Sequence, residues 1–332
     1  MNEIILEVRQ LVTEIHQRRG WLRVVDDVSF NVRRGEIVGL VGESGCGKSM
    51  TAFSLMQLFP TPAARVTSGQ IQFEDRDLAK LTADEMRRVR GAQIAMIFQD
   101  PATFLDPLMT LGNQIAEPLR AHNFAGNATA RTRELVAQMG LPDPELMVRR
   151  YPHQVSGGQK QRALIASAMA CAPKLLIADE PTTALDVTVQ AQILDLMRDL
   201  RDQTGAAILL ITHDLGVIAE MCDRVYVMYA GKIVEHNTTR ELFRAPRHPY
   251  TQGLLRSTVS LESASAELFA IPGTVPNLNE LPTGCRFAPR CPIANAQCKQ
   301  EPPFVANDAS AVACWNVERA AASDIWKLEI GS

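Results

Sequence analysis

The sequence lacks any long apolar run. Among its 332 residues, no hydrophobic stretch approaches the roughly 20 residues that a membrane-spanning helix needs. The longest runs, such as residues 206–211, have the length of strands. The first eight residues contain two glutamates and no basic residue, so a signal peptide is not expected. We therefore expect a cytosolic chain that reaches a membrane only through a partner.

The sequence also lacks a surplus of basic charge. Its 34 basic and 37 acidic residues give a net charge of −3 at pH 7, which argues against a general nucleic-acid binder. Aromatic residues make up only 5%, yet hydrophobic residues reach 46%, enough for a sizeable core. No internal repeat or low-complexity tract is visible. The length fits one large or two modest domains.

Cysteine is sparse over most of the chain and crowded near its C-terminal end. The first 255 residues contain three scattered cysteines, Cys46, Cys171 and Cys222. Four more lie close together, namely Cys285, Cys291, Cys298 and Cys314. In a cytosolic chain this crowding favours metal ligation over disulfides.

Residues 42–49, called the phosphate loop below, match the pattern G-x-x-x-x-G-K-[ST]. The apolar run 37–41 predicts a buried strand before the loop, and the residues from Met50 onward predict a helix after it. Glycines let backbone N–H groups turn inward around phosphate oxygens, and the helix N-terminus adds its dipole. Lys48 is expected to contact the β- and γ-phosphates, and Ser49 to ligate Mg²⁺. The predicted phosphate-binding set is Gly42, Glu43, Ser44, Gly45, Cys46, Gly47, Lys48, Ser49 and Met50.

Two carboxylates follow a second buried-strand pattern, residues 174–178. In parallel sheets this strand end forms the ligand-binding edge. Asp179 is expected to hold Mg²⁺, directly or through water, and Glu180 to orient and deprotonate the attacking water. A solvated acidic pair is the alternative, and the phosphate loop upstream makes it the weaker one.

A second anion site is predicted where residues 156–159 begin a helix. Ser156 is a good N-cap, and Gly157 and Gly158 expose backbone N–H groups ahead of Gln159. Because the chain already has a phosphate loop, this site is expected to serve a partner subunit's nucleotide. A plain capped helix is the alternative.

Three further polar residues stand at predicted element ends. Gln99 follows one strand and could sense Mg²⁺ or the attacking water. His213 follows another and could hydrogen-bond the γ-phosphate, although a lone histidine there is more often structural. Asp186 is expected to cap the next helix and to reach across a dimer interface.

Strands alternate with helices along the first 255 residues, which indicates a mostly parallel sheet with crossover helices. Residues 100–170 are largely helical, and residues 187–203 form an amphipathic helix with an apolar stripe at Ile193, Leu196, Met197 and Leu200. The small, polar segment 260–266 predicts a linker. After it the sequence is rich in proline and loop-like.

These elements, in this order, resemble those of the ATP-binding cassette ATPases over about residues 4–255. The phosphate loop is similar to their Walker A loop, Gln99 to the Q-loop, and residues 155–159 to the LSGGQ signature. Residues 175–180 resemble Walker B, 184–186 the D-loop, and His213 the switch histidine. Val155 departs from the usual leucine, an apolar exchange that leaves the signature's N–H groups intact. The adenine-stacking position is ambiguous between Trp21, Ile15 and His16.

The resemblance implies an α/β fold: a P-loop NTPase (RecA-like) core with antiparallel β and helical subdomains. It also implies a head-to-tail dimer with ATP held between one Walker A loop and the opposite signature. Glu180, His213 and Gln99 would then be catalytic. Mg²⁺ would be bound through Ser49, Gln99 and Asp179.

Two C-terminal motifs narrow the resemblance. Residues 248–255 read HPYTQGLL and residues 284–292 read GCRFAPRCP, as in the C-terminal extension of oligopeptide/dipeptide importer ATPases. That group implies a nucleotide-binding domain over 1–258 and an extension over 259–332. The implied function is ATP-driven peptide import; importers of nickel or glutathione and a soluble cassette ATPase acting on nucleic acid are the alternatives.

The same group implies the partners and location of the chain. We expect two transmembrane permease subunits, a second cassette ATPase that is a paralogue rather than a copy, and, indirectly, a solute-binding protein. No nucleic-acid partner is expected. The chain would lie peripherally on the cytoplasmic side of the cell (inner) membrane.

The four C-terminal cysteines are spaced C-x5-C-x6-C-x15-C. Four thiolates can close a zinc site or a [4Fe–4S] cluster. The spacing lacks the C-x2-C pairs usual for zinc, and the resemblance implies [4Fe–4S]. Zinc and reduced structural thiols remain the alternatives.

Overall fold

The computed structural model describes residues 3–18, 20–183, 185–262, 269–306, 310–322 and 325–326. Their contacts divide the chain into two compact units. The first unit comprises Met1–Leu6, Asn31–Ile37 and Gln72–Ile211, and the second comprises Glu7–Phe30, Val38–Ile71 and Thr212–Ser332. Ala184 of the expected D-loop and residues 263–266 of the expected linker lie outside the described residues.

The strands of the described residues are, in chain order, β1 (Ile4–Gln17), β2 (Gly20–Arg33), β3 (Ile37–Val41), β4 (Ala64–Phe73), β5 (Arg76–Asp77), β6 (Ile94–Ile97), β7 (Leu175–Asp179), β8 (Ala207–Thr212), β9 (Arg224–Tyr229), β10 (Lys232–Thr238), β11 (Val305–Ala306) and β12 (Ala311–Val312).

The α-helices are α1 (Lys48–Met56), α2 (Ala83–Val89), α3 (Pro101–Phe104), α4 (Leu111–Ala121), α5 (Ala128–Gln138), α6 (Pro144–Met147), α7 (Gly157–Ala168), α8 (Val187–Thr204), α9 (Leu215–Met221), α10 (Thr239–Arg244), α11 (Pro249–Glu262) and α12 (Val317–Ala322). Short 3-10 helices span Leu78–Lys80, Pro152–Gln154, Leu278–Glu280, Ala288–Arg290 and Ala296–Lys299.

The first unit contains three parallel strands, with β7 paired to β6 on one side and to β8 on the other. β7 is buried along its whole length, which matches the continuous apolar pattern of a parallel strand covered on both faces. Asp179 is its last residue, and Gln99 lies two residues beyond β6. The parallel arrangement therefore gathers functional side chains at the carboxyl ends of the strands.

Helices α3 to α7 fill the chain between β6 and β7, and polar residues fix where several of them start. Asp100 caps α3 ahead of a proline at the first position, Thr110 caps α4, and Asn127 caps α5. Each side chain accepts a hydrogen bond from a backbone N–H that the helix leaves unpaired. The helical character expected of this segment thus arises from short, individually capped helices.

In the second unit, hydrogen-bonded strands follow the order β11-β12-β10-β9-β3. β3 and β9 are parallel, and the other pairs are antiparallel. β12, from the C-terminal part of the chain, pairs with β10 at Glu235 and Val312. The extension is therefore joined to this sheet by backbone hydrogen bonds. The same unit contains strands in the order β2-β1-β4.

A cluster of aromatic side chains forms part of the core of the second unit. The ring of Tyr229, at the end of β9, lies 4.6 Å from Tyr250 of α11 and 5.2 Å from Phe287. Tyr250 and Phe287 are 5.4 Å apart, and all three side chains are buried. Aromatic pairs at such spacings stabilise a core beyond the area they bury. The cluster fixes the extension against β9 and α11.

Among the described helices, none combines the length and the apolar character required to cross a bilayer.

We expect acid to destabilise the fold through buried histidines. Burial lowers the pKa of His248 to about 3 and that of His236 to about 4, from 6.5. Between these values and pH 6.5 the unfolded chain binds more protons than the folded chain, so stability is lost as pH falls. Each such histidine contributes at most about 1.4 kcal/mol per pH unit. Burial raises the pKa of Glu235, whose contribution has the opposite sign.

Urea unfolding at several pH values below neutrality would measure this slope. His248→Gln should flatten it, whereas His153→Gln, at an exposed position, should leave it unchanged. An identical slope in wild type and His248→Gln would contradict the assignment.

Candidate functional site

The phosphate loop connects the buried strand β3 to helix α1. Gly47 precedes the helix with a φ of 110°, and Gly45 has a φ of 77°. Side chains rarely adopt these left-handed values, so glycine lets the loop curl back at the least cost. The helix begins at Lys48, two residues before the predicted start. The predicted strand–loop–helix order is confirmed.

Lys48 is held inside the curve of the loop. Its ammonium donates hydrogen bonds to the carbonyls of Gly42 at 2.7 Å and Glu43 at 3.1 Å. Only 5% of the residue is exposed, so the charge is presented from a fixed position. Burial raises the pKa of the neighbouring Cys46 thiol, which keeps it neutral. The loop therefore presents a fixed positive charge, as a phosphate site requires.

The loop packs directly on the backbone of β9, of the residues just after β9, and of β2. A Cβ atom on Gly42 would lie 2.1 Å from the carbonyl oxygen of Met228. The Gly231 N–H donates to the carbonyl of Cys46 at 2.8 Å. A Cβ on Gly47 would lie 2.7 Å from the carbonyl of Val24. Gly42 and Gly47 are thus needed for close approach, whereas Gly45 and Gly47 provide curvature.

Glu43 is bound by two residues of the C-terminal part of the chain. Arg290 donates to both carboxylate oxygens, at 2.7 and 3.0 Å. The Tyr250 hydroxyl accepts the Glu43 backbone N–H at 2.8 Å. Burial would lower the pKa of Arg290, but hydrogen bonds to Glu43 and Tyr229 raise it above its ordinary value. Sequence reasoning missed both contacts, because Arg290 lies 247 positions after Glu43.

In the first unit, Glu180 has a strained backbone and an ordered side chain. Its φ is 48°, in the left-handed region that few residues with a side chain adopt. Its N–H donates to the carbonyl of Ile211 at 2.8 Å. Its Oε2 accepts hydrogen bonds from Gln99 Nε2 at 3.2 Å and from Thr183 Oγ1 at 2.8 Å. The structure therefore brings together the predicted Gln99 and Glu180, and adds Thr183.

Asp179 is the last residue of β7, opposite Ile211 of β8, and is 2% exposed. A carboxylate buried at the end of a parallel strand suits a hard divalent cation. Asp179 thus ends the strand and Glu180 follows it directly, as predicted.

The start of α7 forms a capping box. The Ser156 hydroxyl accepts the Gln159 N–H at 3.3 Å, and the Gln159 side chain accepts the Ser156 N–H at 3.1 Å. A Cβ on Gly158 would lie 2.7 Å from a methyl group of Val189 in α8. Asp186 caps α8 by accepting the Val189 N–H at 2.9 Å, as predicted. The signature segment and Asp186 are therefore neighbours in the first unit.

The other predicted residues lie in the second unit. His213 follows β8 directly and is exposed. Trp21 is 45% exposed, with the Arg65 guanidinium 3.7 Å above its ring and His16 at 5.0 Å in an edge-on arrangement. Ile15 lies near the end of β1. Arg65 covers one face of the Trp21 ring.

All four C-terminal cysteines have free thiols. The Cys285 N–H donates to the Cys298 carbonyl at 2.9 Å. Burial, with smaller contributions from nearby thiols, raises the pKa of Cys291 to about 12 and that of Cys314 to about 11. The cysteines therefore share one neighbourhood. Even so, nowhere in the described ranges do three or more His, Cys, Asp or Glu side chains form a metal-holding group, so the iron–sulfur expectation lacks geometric support.

We expect Gly42→Ala to abolish binding of Mg-ATP, because its Cβ would meet a backbone carbonyl that cannot move aside. Gly45→Ala is the matched control. A Cβ there meets no atom within 4 Å, so it carries only the strain of a positive φ, about 1 kcal/mol. Calorimetric titration together with thermal unfolding of both variants would measure this. Equal affinity in the two variants would contradict the packing argument.

Comparisons with known proteins agree with this geometry. Residues 25–183 match the family model described as ABC transporter, and residues 234–298 match that of the oligopeptide/dipeptide transporter C-terminal region. The chain is 48% identical to a probable peptide ABC transporter ATP-binding protein of Sinorhizobium fredii, over 94% of this chain and 95% of the relative. It is 47% identical to the dipeptide transport ATP-binding protein DppD of Bacillus subtilis, with the same coverage.

Among solved structures, the fold is similar to a dimer of the ATP-binding cassette MJ0796 in a post-hydrolysis state with ADP and Pi. The TM-score is 0.63 at 26% identity, covering 71% of this chain and 99% of that one. The α/β P-loop fold expected from the sequence is therefore confirmed. On the strength of its relatives and its two matched regions, the chain belongs to the ABC transporter family, among the ATP-binding proteins that carry the oligopeptide/dipeptide transporter C-terminal region.

Proposed function

We propose that this protein hydrolyses ATP to power the import of di- or oligopeptides across the cytoplasmic membrane. The observation that supports this best is the presence, in one chain, of a Lys48-bearing phosphate loop and a C-terminal region of the oligopeptide/dipeptide type. The names of the relatives, which are peptide and dipeptide transport ATP-binding proteins, support the same cargo class.

In the proposed reaction, water attacks the γ-phosphorus in line with the bond to the β–γ bridging oxygen, which breaks to release ADP. Glu180 accepts the proton of the attacking water. The hydrogen bonds that Glu180 receives from Gln99 and Thr183 hold the carboxylate in one orientation. Lys48 and the loop N–H groups stabilise negative charge on the phosphates. His213 is proposed to hydrogen-bond the γ-phosphate.

The residues present suit magnesium. Asp179 offers a buried carboxylate and Ser49 a hydroxyl on the first turn of α1, and Mg²⁺ is commonly bound through one or two such groups plus phosphate oxygens. Gln99 is proposed as a further oxygen ligand. When bound, the ion neutralises phosphate charge.

We propose that the remaining nucleotide contacts are made across a dimer. Ser156, Gly157, Gly158 and Gln159 would bind the γ-phosphate held by the other subunit, and Asp186 would lie at the interface. Two facts support this: the capping box that orients the start of α7, and a fold similar to a cassette solved as a dimer.

The proposed assembly contains two transmembrane permeases and a second cassette ATPase that is a paralogue, with a solute-binding protein as an indirect partner. The chain would lie on the cytoplasmic face of the cell membrane. Residues 1–258 would form the nucleotide-binding domain, with 100–170 as its helical part, and 259–332 the extension. Trp21, Ile15 and His16 remain the candidates for stacking on adenine.

We further propose that Cys285, Cys291, Cys298 and Cys314 ligate a [4Fe–4S] cluster. The support is that four free thiols share one neighbourhood without disulfides. Thiolate is the ligand type that such clusters use. The role would be structural.

We expect Glu180→Gln to bind Mg-ATP but to hydrolyse it at least about 100-fold more slowly, because the amide cannot accept the proton. The ATP-bound dimer should accumulate and be visible by size-exclusion chromatography. Glu145→Gln, which alters an exposed carboxylate paired with Arg133, is the control and should behave as wild type. Steady turnover near wild type in Glu180→Gln would refute its role as the base.

The same trapped variant tests the transport assignment. Tagged Glu180→Gln protein would be isolated from detergent-solubilised membranes with Mg-ATP, and the co-purifying chains identified. Two multi-span permeases are expected. Recovery of only soluble proteins or nucleic acid would overturn the importer assignment while leaving the ATPase assignment intact.

Anaerobically purified protein is expected to contain about four irons per chain and to absorb visible light. Cys291→Ser should lose both signals, whereas Cys171→Ser, outside the group, should keep them. A folded, colourless protein without iron would eliminate the cluster, and stoichiometric zinc would replace it with the zinc alternative.

A further inference from the structure

Residues 285–291 form what we call the cysteine-flanked turn, which begins with Cys285, ends with Cys291 and contains Arg286 and Arg290. We propose that Arg290 is a positioning residue for ATP binding, acting through Glu43 to set the affinity of the phosphate loop. This inference rests on the proposed function, since it assumes that the loop binds the triphosphate.

The guanidinium of Arg290 has a single well-defined orientation. Besides both oxygens of Glu43, it donates to the carbonyls of Pro272 at 3.0 Å and Ile271 at 3.2 Å, and to the Tyr229 hydroxyl at 3.4 Å. Its side chain is 5% exposed. The planar guanidinium group matches a carboxylate in two parallel hydrogen bonds, which a lysine cannot reproduce. Arg290 is therefore held by the extension and directed at the loop.

Glu43 places a negative charge within a loop that binds a highly charged anion. Like charges repel, so an unpaired carboxylate here would weaken triphosphate binding. The bidentate contact with Arg290 balances that charge at short range. The ion pair therefore affects the affinity for the triphosphate, which an ordinary surface ion pair far from the loop does not.

Residues that pack against the cysteine-flanked turn also hold the loop backbone. The Tyr250 hydroxyl accepts the Glu43 N–H, and the Tyr250 ring packs 5.4 Å from Phe287 of the cysteine-flanked turn. Arg286 donates to the Ala230 carbonyl, one residue before the Gly231 N–H that binds Cys46. The cysteine-flanked turn thus supports the phosphate loop indirectly through Tyr250 and Ala230, whereas Arg290 contacts the loop directly as an ion pair with Glu43.

A double-mutant cycle on the full chain tests the proposal, with calorimetric affinities for Mg-ATP and Mg-ADP as the readout. Arg290→Gln should weaken Mg-ATP binding about tenfold and Mg-ADP binding less, because the repulsion from Glu43 scales with ligand charge. Glu43→Gln should bind Mg-ATP more tightly than wild type, because it removes the repelling carboxylate and leaves Arg290 cationic. The double variant should recover to within about threefold of wild type, since the uncompensated charge is gone.

Three further variants complete the design. Arg290→Lys keeps the charge without the planar guanidinium, and its affinity should lie between wild type and Arg290→Gln. Arg244→Gln removes an exposed arginine that pairs with Glu241 and should bind as wild type. Lys48→Ala should abolish binding; wild-type affinity in that variant would indicate that the proposed nucleotide site itself is wrong.

Two results would overturn the role of Arg290. One is wild-type Mg-ATP affinity in Arg290→Gln. The other is equal loss for Mg-ATP and Mg-ADP with no recovery in the double variant, which indicates general structural damage. If Arg290→Gln does not fold, Arg290→Lys with and without Glu43→Gln replaces it, and absence of recovery by Glu43→Gln decides against the proposal.

Discussion

The architecture of the second unit depends on how closely the phosphate loop lies on the backbone at the end of β9 and just after it. Gly42 has no room for a Cβ beside the Met228 carbonyl, and the Gly231 N–H binds the Cys46 carbonyl. Any shift of β9 would therefore move the loop with it. The aromatic cluster around Tyr229 fixes the end of that strand, so packing of hydrophobic rings determines the position of a phosphate-binding loop.

In the first unit, the surrounding contacts hold Glu180 in a backbone conformation that is energetically costly. A left-handed backbone at a residue with a side chain costs on the order of 1–3 kcal/mol. At Glu180 the Ile211 carbonyl accepts the N–H, and Gln99 and Thr183 bind the carboxylate. These contacts hold the carboxylate at the carboxyl end of β7, beside Asp179. Preorganisation of this kind avoids rearrangement at the moment of reaction.

Much of the secondary structure in both units could be predicted from the sequence, because it depends on patterns among residues close together in the chain. The strand–loop–helix order around Lys48, the Ser156 and Asp186 caps, and helix α8 from Val187 depend on residues a few positions apart. The same patterns predicted the buried face of α8 less exactly. Leu194 is buried in α8, whereas Leu196 of the predicted apolar stripe is only half-buried. The contact between Arg290 and Glu43 lay beyond such reasoning, since nothing in the spacing of two distant residues indicates that they meet.

The same separation has a consequence for how the protein is made. Glu43 precedes Arg290 by 247 positions, and ribosomes add roughly 5–20 residues per second, so about 10–50 seconds pass between their syntheses. Throughout that interval the nascent loop contains a carboxylate whose cationic partner does not yet exist. With the proposed role of Arg290, the loop would therefore reach its full affinity for a triphosphate only once the cysteine-flanked turn has been translated and has folded.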